Sequence, residues 1–244
     1  MPSRPLIVPL LAAVLAAACG DAAVRQVRPQ AGTDPLPKNG EPVKLDPAEF
    51  TTRIDNPYFP MAPGTRWEYR EGSTHVVVDV THQTRKVAGI TARVVHDVDR
   101  RGGRLVEDTK DWYAQDAHGN VWYLGEDTKE YRDGKIHTIE GSWEAGVNGA
   151  QAGVIMPARP RVGMDYRQEY YKGHAEDAAR ILSLHRRVRV PAGRFTNVLE
   201  TLDYTPLEPR VGEHKHYAKG IGPVLSTSKS GHVSEVLVRF KAGS

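Results

Sequence analysis

The chain has a single cysteine, Cys19, among its 244 residues, and only four phenylalanines and four methionines. One cysteine allows no disulfide within the chain. The fold must therefore be stabilised by its core rather than by covalent cross-links, and about 200 residues are enough for a substantial core.

Signals that mark large enzyme classes are missing as well. No Gly-x-Ser-x-Gly segment marks a hydrolase serine, and Gly102-Gly103 is a turn between strands rather than a phosphate-binding loop. Neither sign of charge is in large excess, because 33 basic and 30 acidic residues give a net charge of +3. Because the charge is this evenly balanced, the composition gives no reason to expect nucleic acid as a partner.

The long apolar run of this chain lies at its N-terminus. Residues 1–18 hold one early charge, Arg4, and then an uncharged stretch that is too short for a stable membrane span. This pattern predicts a signal peptide. The run ends in Leu15-Ala-Ala-Ala-Cys19, which resembles the lipobox of bacterial lipoproteins, where the cysteine is lipidated and becomes the mature N-terminus. The alternative is an ordinary signal peptide cleaved nearby.

Composition divides the chain into three segments. Residues 1–18 are the predicted signal peptide, and residues 19–45 are the lipidated Cys19 followed by a flexible tether rich in proline, glycine and charge. Residues 46–244 are expected to form a single antiparallel β domain. Such a protein is exported and anchored to a bacterial membrane by Cys19, facing the periplasm or the cell exterior.

The sequence pattern of this domain predicts an all-β fold. Asp46-Pro47 signals a short N-terminal helix, and from Trp67 onward apolar residues alternate with a period of two between tight turns. We expect a strongly curved sheet or half-barrel of about a dozen meandering antiparallel strands, since a long flat sheet would leave two exposed edges. A closed calycin-like barrel is the alternative. Residues 141–163 break the alternation and predict a long ordered loop.

Asp111–Glu126 carries the clearest hairpin signal. Asp116 suits the first position of a turn and Gly119 the left-handed position that closes it. Alternation then predicts that Trp112 faces Leu124 on one side of the sheet, and that Tyr113 faces Tyr123 on the other.

Several motifs occur together in one family. They are Asp55-Asn-Pro-Tyr-Phe-Pro60, the Asp111–Glu126 hairpin, and Glu213-His214 followed by Tyr217-Ala-Lys-Gly-Ile-Gly-Pro-Val224. The pattern resembles an uncharacterised family of bacterial secreted proteins and lipoproteins over residues 50–240. The tail from Val190 to Val224 also resembles the closing strands of LolA-, LolB- and LppX-like lipoproteins, whose curved sheets shelter acyl chains. The first resemblance implies no known activity, and the second concerns the fold, which does not settle function.

Two groups of residues are candidates for a site. Aromatic and acidic residues of the central strands suit a concave ligand site, although tyrosine and tryptophan also serve as ordinary core residues. The predicted ligand-binding residues are Asp111, Tyr113, Tyr123, Trp143, Glu169, Tyr171, Glu213 and His214. His214 and His216 point to one face of a strand and could ligate a divalent metal with a third ligand, or lie on the surface as two independent side chains.

The favoured hypothesis is a lipoprotein that binds a lipid or another amphipathic small molecule on its curved sheet, as a carrier or in envelope maintenance, and not an enzyme. Its partners would be the membrane, through the N-terminal lipid, and this ligand; no cofactor is expected. One alternative is a periplasmic metal-binding protein or hydrolase centred on Glu213 and His214 with carboxylates of the hairpin. Another is a structural envelope protein without a ligand.

The lipidation hypothesis gives a direct prediction. Replacing Cys19 with Ser removes the thiol that would carry the lipid, so the variant should move from the detergent phase to the aqueous phase in a phase-separation assay. Wild-type protein from the same cells is the control. A variant that still partitions into detergent like the wild type would show that Cys19 is not the anchor.

Overall fold

Sixteen β-strands account for nearly all regular structure in residues 36–244, which are the residues that the computed structural model describes. Cys19, the predicted signal peptide and the tether up to residue 35 lie outside these residues. A single turn of 3-10 helix, Pro47–Glu49, follows Asp46, whose side chain accepts a hydrogen bond from the Ala48 amide at 2.9 Å. Within the described part of the chain, no helix has the length and apolar character to cross a membrane.

The strands follow each other closely along the chain. They are β1 (Phe50–Thr51), β2 (Arg66–Glu71), β3 (Thr74–Val87), β4 (Ile90–Arg101), β5 (Arg104–Asp116), β6 (Val121–Arg132), β7 (Lys135–Thr138), β8 (Trp143–Glu144), β9 (Gln151–Met156), β10 (Asp165–Arg167), β11 (Glu169–Tyr170), β12 (Ala178–Val190), β13 (Gly193–Tyr204), β14 (Glu213–Ala218), β15 (Gly222–Ser228) and β16 (Val233–Lys241).

Thirteen of these strands form one antiparallel sheet that curls into a nearly closed barrel with one unsealed seam. Their order across the sheet is β10-β12-β13-β14-β15-β16-β2-β3-β4-β5-β6-β9-β11. Most neighbours in this order are also neighbours in sequence, as expected for a meander of hairpins. The structure thus confirms the prediction of a strongly curved, mainly antiparallel sheet with little helix.

The predicted hairpin is present, with one change of register. The Asp116 amide donates to the Asn120 carbonyl at 2.9 Å, and Gly119 closes the turn with φ +91°. Tyr113 pairs with Tyr123 as predicted, but Trp112 pairs with Gly125 and not with Leu124. The cause is a β-bulge at this point, where β6 contributes one residue more than β5.

Residues 141–163, predicted as one long loop, contain two strands. β8 and β9 both pair with β6, and β9 extends the sheet to β11. The strand β9 has little alternation because both of its faces are covered. Gly153 in its centre is required, because a side-chain carbon there would overlap the backbone of Arg167 and Gln168.

One end of the barrel is plugged by the irregular segment of residues 52–65. Phe59 packs against Tyr113 of β5 and Tyr217 of β14, with ring centroids 5.7 and 6.2 Å apart. These two strands lie on different sides of the barrel, so Phe59 reaches into its interior. Gln115 fixes the plug, since its side-chain oxygen accepts from the amides of Asp55 and Asn56 at 3.0 Å each.

The seam between β10 and β9 is bridged by Arg167 rather than by a ladder of backbone hydrogen bonds. The Arg167 side chain is fully buried, and its Nη2 donates to the Ala152 carbonyl of β9 at 2.9 Å. Its Nη1 donates to the carbonyls of Lys38 and Glu41 at 3.2 and 2.7 Å. Residues 36–45, the last part of the predicted tether, thus lie against the seam, and the compact unit begins at Leu36.

Arg167 gives the second prediction. Changing Arg167 to Met keeps most of the side-chain volume but leaves the buried Ala152 carbonyl without this donor, at a cost of about 1–3 kcal/mol, and also removes the bonds to the part-buried carbonyls of Lys38 and Glu41. We expect the free energy of unfolding, measured in urea, to fall by at least about 1 kcal/mol. The control is Arg187→Met, which removes the same charge from an exposed position and should change stability by less than about 0.5 kcal/mol. Equal effects of the two changes would contradict the bridging role.

Candidate functional site

A row of aromatic and acidic side chains crosses the inner face of the barrel. Tyr113 and Tyr123 stack with their ring centroids 4.8 Å apart, and Trp143 of β8 meets Tyr123 edge-on at 5.4 Å. A carboxylate is bound at each side of the row. The Tyr123 hydroxyl donates to Asp111 at 2.6 Å, and Trp143 Nε1 donates to Glu169 at 2.8 Å. Five of the predicted site residues therefore come together.

More carboxylates line the same face. Strand pairing places Asp97 beside Thr109 and Thr128, Asp99 beside Glu107, and Asp111 beside Glu126. Because successive residues of a strand point to opposite faces, these side chains all share the face of Tyr113 and Tyr123. The inner carboxylates, named so from here on, are Asp97, Asp99, Glu107, Asp111, Glu126, Glu169 and Glu235.

Hydroxyl groups hold part of this acidic face in place. Thr109 donates to Glu107 at 3.0 Å, and Thr128 donates to Glu126 at 2.6 Å. The two threonine hydroxyls also lie 3.1 Å from each other in the centre of the β5–β6 pair. The arrangement is thus a connected polar network on the inside of the barrel, where an apolar core would be expected.

Asp97 and Glu169 lie deep in the protein but keep part of their surface accessible. Both are surrounded by protein atoms, and burial is the main cause of their shifted pKa values. Both nevertheless keep an intermediate exposed fraction, unlike the fully buried Val95 or Leu124. Part of each of these two residues on the inner face is therefore reached by solvent.

The electrostatics of this face favour protonated groups. Burial, reinforced by Asp99, Asp111, Glu235 and Glu107, raises the pKa of Asp97 well above its usual range. Burial also raises the pKa of Glu169, although the Trp143 hydrogen bond and Lys215 act in the opposite direction. The phenols of Tyr113 and Tyr123 have raised pKa values for the same reason, burial first and Asp111 second. They are therefore neutral hydrogen-bond donors and not activated nucleophiles.

Glu213 and His214 lie on opposite faces of β14. Glu213 points inward, where it accepts a hydrogen bond from the Ser234 hydroxyl. His214 points outward and its Nδ1 lies 2.9 Å from Glu200, while His216 Nε2 lies 3.9 Å from the same oxygen. Glu200 also binds the Arg186 guanidinium at 2.5 Å. Among residues 36–244, no group of three or more histidine, cysteine, aspartate or glutamate side chains is arranged to hold a metal ion.

Tyr171 does not join the row. It stacks on His174 at 4.4 Å and forms an isolated bridge with Ala175, in the turn that precedes β12. Conversely, Asp97, Asp99 and Glu107 lie on this face but were not predicted from the sequence. The sequence pattern that indicates a shared face is the period of two. Asp97 and Asp99 follow it along β4, and the same period along β5 links Glu107, Thr109, Asp111 and Tyr113.

Comparisons with known proteins give one distant neighbour. No protein-family model matches this chain, and no curated protein matches it. A solved structure of a "putative lipoprotein" from Parabacteroides distasonis ATCC 8503 is similar, with 12% identity and a TM-score of 0.39. The match covers 75% of this chain and 98% of that chain. A likeness at this level carries no argument about function, and the lipoprotein family resemblance stays a prediction.

Asp97 gives the third prediction. The pKa of Asp97 is raised in the folded state. The window of interest runs from about pH 3.9, the usual pKa in the unfolded chain, up to the folded-state pKa. Within this window only the folded chain keeps the proton. Stability therefore falls as the pH rises through this window. Asp97→Asn cannot ionise, and at pH 7 it should raise Tm by at least about 2 °C, the shift that roughly 1 kcal/mol produces.

This gain should shrink towards zero below pH 4, where Asp97 is protonated in both states. The control is Asp127→Asn, on the outer face of β6, where the carboxylate pairs with Lys129 at 2.6 Å near the surface. A melting curve in which Asp97→Asn lowers Tm at neutral pH would contradict the assigned burial cost.

Proposed function

We propose that this protein is an exported, lipid-anchored binding protein that holds a small amphipathic molecule inside its barrel. The observation that carries the proposal is the row of Tyr113, Tyr123 and Trp143 between Asp111 and Glu169, on the inner face. The row combines ring surfaces with fixed polar groups, which is the usual composition of small-molecule sites.

The accessible part of the inner face favours a ligand inside the barrel over one on its surface. Asp97 and Glu169 are deep and still partly accessible, and Phe59 packs between Tyr113 and Tyr217 at one end. A barrel that served only as a structural element would gain stability from an apolar interior, because burying carboxylates costs free energy. The polar interior is therefore better explained by a ligand than by folding.

Both parts of an amphipathic ligand find a partner in this interior. Its apolar part can pack on the rings of Phe59, Tyr113 and Tyr123, and its polar part can bind the inner carboxylates. The role that follows is that of a carrier or receptor in the cell envelope, with Cys19 as its anchor.

The fourth prediction concerns co-purified ligand. Wild-type protein released from membranes with a mild non-ionic detergent should carry an amphipathic small molecule, detected by mass spectrometry of its organic extract. Trp143→Leu removes a ring of the row and the hydrogen bond to Glu169, so its extract should contain at least fivefold less of this molecule.

The matched control is Tyr131→Ala, an aromatic residue of β6 near the β6–β7 turn and away from the row; its extract should match the wild type. Circular dichroism would verify that both variants are folded. If the wild-type extract holds no species beyond those of the Trp143→Leu extract, the proposed function is wrong.

A further inference from the structure

The distal half of the β12–β13 hairpin is strongly basic. Residues 182–199 contain four arginines and one histidine, but no aspartate or glutamate. The four positive charges exceed the net charge of the whole chain, which is +3. Without these arginines the chain would carry a net negative charge, so the positive excess of the protein is concentrated in this hairpin.

Three of the arginines share one exposed face. Arg187 and Arg189 are two residues apart on β12 and point to the same side, and Arg194 of β13 lies directly opposite Arg189. All three are exposed, whereas Val188 and Val190, which alternate with them, are buried. The hairpin therefore buries an apolar face and presents arginines on the other. The arginine face, named so from here on, consists of Arg187, Arg189 and Arg194.

The arginine face is not neutralised by the rest of residues 36–244. The fourth arginine, Arg186, forms an ion pair with the buried Glu200. The side chains of the arginine face form no ion pair or hydrogen bond with another described residue. Arg189 and Arg194 also lie opposite each other across the strands, an arrangement of like charges that is destabilising. Three cations thus remain available to a partner.

Neighbouring elements add no acidic group to this face. The pairing of β13 with β14 begins at Leu199, so the distal hairpin has no third strand beside it within the described chain. Its turn touches β16, where the Ala192 amide donates to the Leu237 carbonyl at 3.2 Å. Of the charged residues two positions from Leu237, Glu235 belongs to the inner face and Arg239 is basic.

An anionic membrane surface suits this face. Guanidinium groups bind phosphate oxygens through paired hydrogen bonds, and each basic side chain at an anionic leaflet strengthens binding about fivefold. Several arginines on one side of a hairpin match a flat array of phosphates better than a single small anion. Because the proposed anchor holds the chain at a bilayer, phospholipid head groups are the phosphates that lie nearest to it.

The tether is long enough to bring the hairpin to that bilayer. Leu36 lies beside β10, because the carbonyl of the next residue accepts from the Arg167 amide at 2.8 Å. Arg167 pairs with Ala178 of β12, and Arg189 follows eleven residues later, about 35 Å along the strand. Cys19 precedes Leu36 by seventeen residues, which span at most about 60 Å. The lipid and the hairpin can therefore reach one membrane together.

The place of the hairpin in the barrel gives this contact a direction. Leu199 of β13 pairs with Tyr217, whose ring packs against Phe59 of the plug. The hairpin continues beyond this pair, so the arginine face belongs to the plugged end. Binding through it would point the plug towards the bilayer and the turns at Gly102 and Gly134 away from it.

We propose that the distal β12–β13 hairpin is a second membrane contact, in which Arg187, Arg189 and Arg194 bind anionic phospholipid head groups. The inference takes from the proposed function only the anchoring of the chain to a membrane, and it is independent of the ligand inside the barrel. The lipid on Cys19 fixes the chain to the bilayer, and the hairpin fixes the orientation of the barrel on it.

Vesicle binding of the full chain carrying Cys19→Ser tests the hairpin without the lipid. Sedimentation would compare phosphatidylcholine vesicles with vesicles that also contain about 30 mol % phosphatidylglycerol. We expect at least about tenfold tighter binding to the anionic vesicles, since three arginines act together. This difference should disappear at about 0.5 M NaCl, because salt screens exposed charges.

The hairpin variant combines Arg187→Gln, Arg189→Gln and Arg194→Gln in the same chain. It should bind the anionic vesicles at least about tenfold more weakly and phosphatidylcholine vesicles as before. Its Tm should not fall, because the three side chains are exposed and two of them repel each other.

The matched control combines Arg104→Gln, Arg132→Gln and Lys135→Gln. These residues are exposed at the opposite end of the barrel, beside the Gly102 and Gly134 turns, so the control removes the same net charge from a different face. Its affinity for the anionic vesicles should stay within about threefold of the parent chain.

Three results would overturn the hairpin contact. They are equal binding to the two kinds of vesicle, equal losses in the hairpin and control variants, and tighter binding to soluble polyphosphate than to anionic vesicles at equal phosphate concentration. The second would show that only net charge matters, and the third would assign the face to an anionic polymer. None of these results bears on the proposed function, whose anchor is decided by phase partition of Cys19→Ser and whose ligand is decided by the extract from membranes.

Discussion

Closure of the barrel depends on Arg167. The edge strands β10 and β11 are joined along the chain through Gln168, and β11 pairs with β9, but no backbone ladder joins β10 to β9. The buried guanidinium joins them instead, because its planar group donates to carbonyls of β9 and of residues 38 and 41 at the same time. Burial lowers the pKa of Arg167. An arginine keeps its charge under such conditions, whereas a lysine could lose it.

The interior that this closure encloses is costly to build. Carboxylates are removed from bulk water, and several of them face like charges across the strands. Hydrogen bonds from Thr109, Thr128, Tyr123 and Trp143 offset part of this cost. Functional sites of proteins often cost stability in this way.

Much of the architecture was accessible from sequence because it is encoded locally. The Asp116–Gly119 turn fixes its hairpin through φ angles and one side chain, so it was predicted correctly. The register beyond Tyr113 was wrong, since the bulge at Leu124 depends on how close Trp143 and Glu144 of β8 approach Gly125. The strand β9 was read as loop for a similar reason. Its small residues are set by contact with Arg167 and Gln168, which are distant in sequence.

The grouping of these side chains on one face was predicted only in part. Aromatic residues in a strand are a clear sequence signal, so Tyr113, Tyr123 and Trp143 were predicted together with the carboxylates Asp111 and Glu169. Asp97 and Asp99 were missed, since a carboxylate in an alternating strand is normally on the solvent side, and only curvature of the sheet places this face inside. His214 and Glu213 are adjacent in sequence and were grouped, but the strand directs them to opposite sides.

The Phe59 plug makes the two ends of the barrel different. Phe59 meets Tyr113 near the end of β5, whereas Glu107 lies near its start, about 20 Å away along the strand. The interior thus changes from aromatic to acidic along its axis. The two ends of the barrel therefore differ in chemistry: the end at Phe59 presents aromatic rings, and the end at the Gly102 and Gly134 turns presents carboxylates.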